Sequence, residues 1–544
     1  MKRVLRGLTP LILVAAAHQP SQAQDGTWAL TNAKIETITK GTIPKGTIVI
    51  RRGLIESVGA DVAVPPDARV LDLGGRVVAP GFFDLTSTMG LPAAPAPAGG
   101  GGGAGQAQQP PSGPLGMEPG RDVAAELRVT ESDVRNARNA GITSVLVAPN
   151  RGPFRGLSAL VPMRDDTAAR WLVRSPVALH MGFQTVPGRY PGSLLGVIAY
   201  ERQLLYDAQR HGILAERYKA NPRGSERPRA DAHLDALVPV VRGETPVFFA
   251  ADNENEIRRA LSIGREFNLK LSVVGAEEAF RAVDALKGAR LSVVSVDFPE
   301  PSATTGWAYR GSTRVEPNDS ATRAASAKRV IEGNAAALHG AGLRFALTSG
   351  SLRPDAFVVN VRKAIAAGLP RTTALEALTI RAAEATGVEA QLGSIEPGKI
   401  ANLVVTQGDP LTDSARVRAV FVDGIRYDVI AQPSRPTAAG AGATAQVGGT
   451  WVATTQSPQG SMQGTLTINQ NGDSFTGTMT SDFGSATISD GEISGRNISW
   501  SISLNPGGQL ITVTYQGQVD GDRITGRATA GEFGSFPFSA QRRP

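Results

Sequence analysis

Cysteine is absent from all 544 residues. That excludes disulfides and a lipid-modified cysteine, so stability in an oxidising compartment must come from packing. Histidine is almost as scarce: the chain has five, at His18, His180, His211, His233 and His339. No two of them have the spacing of a ligand pair on one strand or helix. Aromatic residues make up only 5%, and the net charge of +7 is scattered, with no run of five basic residues. The basic pI admits a nucleic-acid surface, but scattered charge and scarce aromatics lend it only weak support, and none is expected. The apolar run near the N-terminus is far short of the ~20 residues that a membrane span needs, and no later stretch is long and apolar enough. Phosphate loops and dinucleotide fingerprints are missing too: GGGGGAG has no strand before it and no helix after it.

The N-terminus reads as a secretory signal. Lys2, Arg3 and Arg6 form a positive segment, 8–17 a short apolar core, and Ser21-Gln22-Ala23 offers small residues at the cleavage positions. The expectation is a signal peptide at 1–23, cleavage after Ala23, and a periplasmic or secreted protein.

The remainder is too long for one compact domain. Residues 24–76 read as short strands between turn signals at Pro44-Lys45-Gly46, Arg52-Gly53 and Pro65-Pro66. From 77 to 392 strands alternate with helices. After an opening strand in VVAPGFFD, strands are expected at 142–148, 176–181, 246–252, 269–276, 289–298 and 343–350. Thr130 caps one intervening helix, which Gly141 closes, and Asn253 with Glu256 opens another. The alternation predicts an α/β fold, a (β/α)8 TIM-type barrel. Seven strands can be placed, and the fourth is expected somewhere in 183–245. Residues 393–430 return to β text and are expected to complete a satellite β-sandwich begun by 24–76. A low-complexity insertion at 93–120 is expected to be disordered. It leaves the first barrel strand on the face where such barrels carry active sites. Residues 431–447 form a Pro/Ala/Gly linker. In 448–544 short strands alternate with Gly turns, among them Asn471-Gly472, Asp490-Gly491 and Asp520-Gly521. They predict a separate all-β domain, an antiparallel barrel or sandwich of about eight strands.

Two segments carry a family resemblance. RVVAPGFFD at the barrel entry, and ALEALTIRAAEATGV followed by GSIEPGKIANLVVTQGDPL at its exit, resemble the amidohydrolase superfamily near its imidazolonepropionase-like branch. The resemblance covers 27–430 and leaves 448–544 outside. It implies hydrolysis of C–N bonds other than peptide bonds in small, often cyclic, amides. The agent is a metal ion whose bound water ionises near neutral pH. The implied ligands are His-x-His after the first strand, one His each on the fifth and sixth strands, and an Asp on the eighth. Carried onto this chain, those positions hold Thr86 and Thr88, Ala250, Val274 and Ser349. Neutral hydroxyls are poor ligands for a divalent transition metal, and Ala and Val offer no donor atom.

Other pocket candidates remain. Asp84 is retained from the motif, Asp252 follows the fifth strand and Asp297 ends the seventh. Facing carboxylates could do acid–base work. Equally, Asp252 caps a helix and Asp297 braces a turn. His180 ends a strand at the barrel mouth, either as a functional residue or as a satisfied structural one. His211 and His233 read as solvent-facing and His339 as packing. Ser349 has no histidine or lysine nearby in sequence to activate it.

Three readings follow. In the first, the protein is an exported superfamily member with replaced metal ligands, a pseudoenzyme that binds or scaffolds. Its partner is a small molecule or unknown. No cofactor is expected, and Zn or another divalent metal enters only if the family chemistry persists. In the second it is a hydrolase acting on C–N bonds through an unorthodox site. In the third the C-terminal β domain binds a carbohydrate or lipid through Trp451, Trp500 and Tyr515, with the barrel as a rigid support. Oligomeric state is open in all three.

Overall fold

The computed structural model describes residues 26–92, 118–165, 172–185, 190–298, 328–350, 352–429 and 445–543, apart from 458–459, 472–473, 482–483, 505–510 and 530–534. The predicted signal, most of the insertion and most of the linker lie outside the described residues. The chain divides into two compact units, Met1–Ile430 and Ala431–Pro544. Glu118 N donates to Phe154 O at 3.1 Å and Ala445 N to Gly495 O at 2.9 Å. Residues 118–120 and 445–447 therefore belong to folded units rather than to insertion and linker.

In the first unit both flanking segments share one eight-stranded sheet. Leu403–Gln407 lies antiparallel to Val77–Pro80, with Leu403 opposite Pro80. Trp28–Glu36 continues the sheet on the far side of Val77–Pro80. Two hairpins, Thr42–Arg51 with Leu54–Gly59 and Arg416–Val422 with Ile425–Asp428, complete its edges. Their turns are Arg52-Gly53 (φ 52° and 79°) and Asp423-Gly424 (φ 51° and 73°). Paired left-handed residues match the twist of the flanking strands, which is why these two-residue loops end in glycine. Leu30, Ile35, Ile48, Val78, Leu403 and Phe421 form the buried face.

Gly81 carries the chain from this sheet into the barrel. Its N–H donates to Asn402 O at 2.8 Å, and a Cβ there would collide with the Thr143 side chain. The Pro-Gly pair of the entry motif is thus a close-packing requirement.

Seven parallel strands build the barrel: Phe82–Ser87, Ile142–Val147, Leu179–Gly182, Val247–Ala251, Leu271–Gly275, Ser292–Ser295 and Phe345–Thr348. They are short apolar runs, almost wholly buried, as strands covered on both faces must be. The eighth place is not filled from 183–245. Among the described residues that stretch holds two helices, Leu194–Ala220 and Ala232–Val241. The place is taken by Phe154–Leu157 and Ala159–Pro162, one extended segment broken at Ser158. Its second half pairs antiparallel with Ile142–Val147 and its first half antiparallel with Leu179–Gly182. No crossover helix is needed to reach an antiparallel neighbour, so this stave follows its predecessor directly. Its N-terminal end, at Phe154, consequently lies with the C-terminal ends of the parallel strands.

The second unit is a closed antiparallel barrel of eight strands, from Gly449–Ser457 to Ser535–Arg542, with the first and last strands paired. It is a barrel and not a sandwich. Asp520-Gly521 lies at a hairpin, between Ile511–Asp520 and Arg523–Thr529. Asp490-Gly491 does not. It sits inside Gly484–Ser494, where the register with Ser474–Ser481 shifts, and a side chain on Gly491 would strike Phe475 O. The glycine serves a bulge and close backbone approach, and the turn falls at Gly495-Arg496.

Candidate functional site

The five positions that the resemblance assigned to metal ligands come together. Thr86, Thr88, Ala250, Val274 and Ser349 all line one cavity of about 310 Å³ at the C-terminal ends of the barrel strands, with Asp84 and His180. Asp252 and Asp297 do not line it. Asp252 is not the N-cap of Glu254–Glu266: its N–H donates to Glu256 Oε2 at 3.1 Å, while Asn253 Oδ1 caps the helix by accepting from Glu256 N at 3.0 Å. Asp297 Oδ1 accepts from Ser295 Oγ at 2.8 Å.

Asp84 is buried and fully engaged. Its Oδ1 accepts from Thr348 Oγ1 at 2.8 Å and from Ser349 N at 3.1 Å, and its Oδ2 accepts from Ser349 Oγ at 2.8 Å. Thr348 has one hydroxyl proton, and it points at Asp84. The Thr86 hydroxyl, 2.7 Å from Thr348 Oγ1, is therefore the donor of that pair, and Leu85 N donates to the same oxygen at 3.1 Å. Gly350 N in turn donates to Thr86 Oγ1 at 3.1 Å. Asp84, Thr86, Thr348 and Ser349 thus form a latch that ties the first barrel strand to the last. Such charge-assisted bonds are about twice as strong as neutral ones.

A metal ion at this place would find no suitable set of donors. Thr86, Ser349 and Asp84 are consumed by the latch, Thr88 is exposed, and Ala250 and Val274 present methyl groups. Among the described residues His180 is the only imidazole lining the cavity. Among the described residues no group of three or more His, Cys, Asp or Glu is placed to hold an ion. The residues present do not fit the metal centre that the barrel implies.

His180 is 5% exposed, and its Nε2 has no hydrogen-bond partner. Its ring meets Phe248 edge-on, with centroids 5.4 Å apart. Burial first, and then the neighbouring Arg155, push it down to about 3, so it is neutral at physiological pH. His211 is not solvent-facing. It joins Leu194–Ala220 to Ala232–Val241 by a 2.8 Å contact with Asp235. His233 is exposed. His339 is exposed rather than packed, 3.3 Å from Thr373 Oγ1.

Two residues at or near the mouth have no counterpart among the sequence candidates. Arg155 enters the cavity from the antiparallel stave; burial lowers it to about 10, against the pull of Asp252 and Glu201. Glu201 is wholly buried, and neither carboxyl oxygen has a hydrogen-bond partner. Burial raises it well above the usual carboxylate range, with Arg155 opposing. A signal for Glu201 existed: it is the one carboxylate on the helical stripe Val197, Glu201, Leu205, Ala208 and Gly212. Arg155 carried no such signal, because its position follows from the direction of its strand.

Comparison with known proteins agrees with this architecture. The sequence profile of the Amidohydrolase family matches residues 312–434. The imidazolonepropionase of Symbiobacterium thermophilum is 25% identical over 385 residues, spanning 67% of this chain and 84% of that protein. A solved amidohydrolase from Thermotoga maritima MSB8 has the same fold, with a TM-score of 0.61 at 23% identity, over 74% of this chain and 100% of that one.

Proposed function

We propose that the chain is an exported, non-catalytic member of the amidohydrolase superfamily that binds a small molecule at the barrel mouth, a reading supported by the family match, the imidazolonepropionase relative and the shared fold. One observation carries the reading. The positions where the superfamily holds its metal are gathered around one cavity, but Thr86 and Ser349 are engaged by Thr348 and Asp84, Thr88 is exposed, and Ala250 and Val274 have no donor atom. Water stays near its bulk acidity without a metal to polarise it, so the hydrolytic step loses its nucleophile.

Metal content tests the reading. Purified without chelator, the protein is expected to hold well under one equivalent of Zn, Mn or Ni per chain. Added metal should leave its melting temperature unchanged, because an ion that binds only the folded state must stabilise it. Joint replacement of Thr86→His and Thr88→His should still bind weakly, since two ligands leave the ion mostly hydrated. Stoichiometric metal seated in the unmodified barrel would overturn the proposal.

The hydrolase reading has one observation in its favour, the 2.8 Å bond from Ser349 Oγ to Asp84 Oδ2. A serine nucleophile needs a base free to take its proton, and Asp84 already accepts from Thr348 and from Ser349 N. The third reading is weakened by packing. Trp500 stacks on Tyr515 at 4.9 Å, both meet Phe538 edge-on, and Trp451 is fully buried. Those rings are the core of the C-terminal barrel and not a surface platform.

Export rests on the N-terminal text alone. Mass spectrometry of the native protein should find a terminus at Gln24; an intact Met1 would count against export.

A further inference from the structure

Resting on the binding role just proposed, we propose that the barrel-mouth cavity is a site for a small organic carboxylate, whose anionic head pairs with the Arg155 guanidinium beside the unpartnered His180 ring.

The guanidinium is positioned and still open. Arg155 Nε donates to Gly152 O at 3.2 Å, which anchors the stem. Among the described residues Nη1 and Nη2 make no hydrogen bond, and the residue lines the cavity. Space for it is made by Gly182 on the adjacent strand: a Cβ there would sit 2.5 Å from Arg155 Nη2. A planar guanidinium with both terminal nitrogens available suits a carboxylate's two oxygens. His180 supplies the second, independent indication. It is a buried imidazole lining the same cavity, with Nε2 lacking the partner that a buried polar atom requires.

The surrounding charges favour one negative charge. Asp84 faces the cavity, but both its oxygens already accept from Thr348 and Ser349. Asp252 lies close enough to act on Arg155 without lining the cavity. Burial raises Glu201 well above the ordinary carboxylate range, with Arg155 opposing, and neither of its carboxyl oxygens reaches the guanidinium with a hydrogen bond. One cation beside these carboxylates can compensate a singly charged carboxylate but not a phosphate dianion. Phe248, Val274, Ala250 and Ile142 make the rest of the wall apolar, so the remainder of the ligand is a compact hydrocarbon or amide body.

The test compares acids with their neutral isosteres on the full chain. Phenylacetate, 4-methylpentanoate and N-acetylglycine, each with its primary amide, are titrated calorimetrically at millimolar concentration. At least one acid should bind about tenfold or more tightly than its amide, the usual scale of a charge-assisted pair. Arg155→Met should abolish that preference. Gly182→Ala should weaken it as well, by displacing the end of a flexible side chain and leaving the strand in place. Equal binding of acids and amides would overturn the carboxylate assignment while the binding role survives. Binding of neither would also overturn it, and metal content then decides the binding role separately. Unchanged acid affinity in a folded Arg155→Met would overturn the assignment of Arg155.

Discussion

Asp84→Ala is expected to destabilise the barrel by about 3–5 kcal/mol. The substitution removes a buried carboxylate and leaves the Thr348 hydroxyl, the Ser349 hydroxyl and the Ser349 N–H without their acceptor. Each buried donor left unpaired costs about 1–3 kcal/mol, and little water can reach these groups to compensate. Asp84→Asn should cost less, about 1–3 kcal/mol, because one amide oxygen can still accept while the amide nitrogen faces a donor. Denaturant unfolding followed by far-ultraviolet circular dichroism measures both, with the C-terminal barrel as a separately unfolding reference. The sign is diagnostic. A residue retained for catalysis at the expense of stability often gives a more stable protein when removed. A stabilised Asp84→Ala would therefore reject the latch and revive the hydrolase reading.

The second large effect is a dependence of stability on pH with two opposing arms. His180 titrates at its ordinary 6.5 in the unfolded chain and at about 3 when folded, because burial and then Arg155 oppose its charge. In that interval the unfolded chain binds a proton that the folded protein does not, so stability falls as pH drops from 6.5 towards 3. The slope is about 1.4 kcal/mol per pH unit at most. Glu201 acts in the other direction. Burial raises its folded value well above the ordinary 4.5. The folded protein therefore keeps a proton that the unfolded chain releases, and stability falls as pH rises above 4.5 through the folded value. His180→Phe should flatten the acidic arm, and Glu201→Gln should flatten the arm on the alkaline side of 4.5. Melting temperatures of the two variants and the parent across this range are the measurement. If all three curves run parallel, neither group is buried in the state described here.

The family resemblance and the replacement of the ligand types it implies were both legible in single residues. The entry motif places Thr86 and Thr88 where two histidines would stand, and no fold can turn an alanine at 250 or a valine at 274 into a ligand. The seven parallel strands of the barrel were legible as well, because each is a short apolar run with its own turn signals. Helix starts at Thr130 and Asn253 were legible because a cap is a bond between residues three apart: Thr130 Oγ1 accepts from Asp133 N, and Asn253 Oδ1 from Glu256 N.

Direction and partnership were decided only by the tertiary structure. The text of 154–162 is compatible with a loop, a strand running with its neighbours, or a strand running against them. Only pairing with both Ile142–Val147 and Leu179–Gly182 selects the last, and that choice brings Arg155 to the barrel mouth. Asp490-Gly491 has the composition of a turn, yet contact with Phe475 makes it a bulge. Asp84 reads as a remnant of a catalytic motif until Thr348 and Ser349, 264 and 265 positions away, are found on its two oxygens. Side-chain chemistry and local turns are written between near neighbours in the chain, where one sequence suffices to read them. The groups that meet at a barrel mouth are separated by most of the chain, and no local preference records which of them will touch.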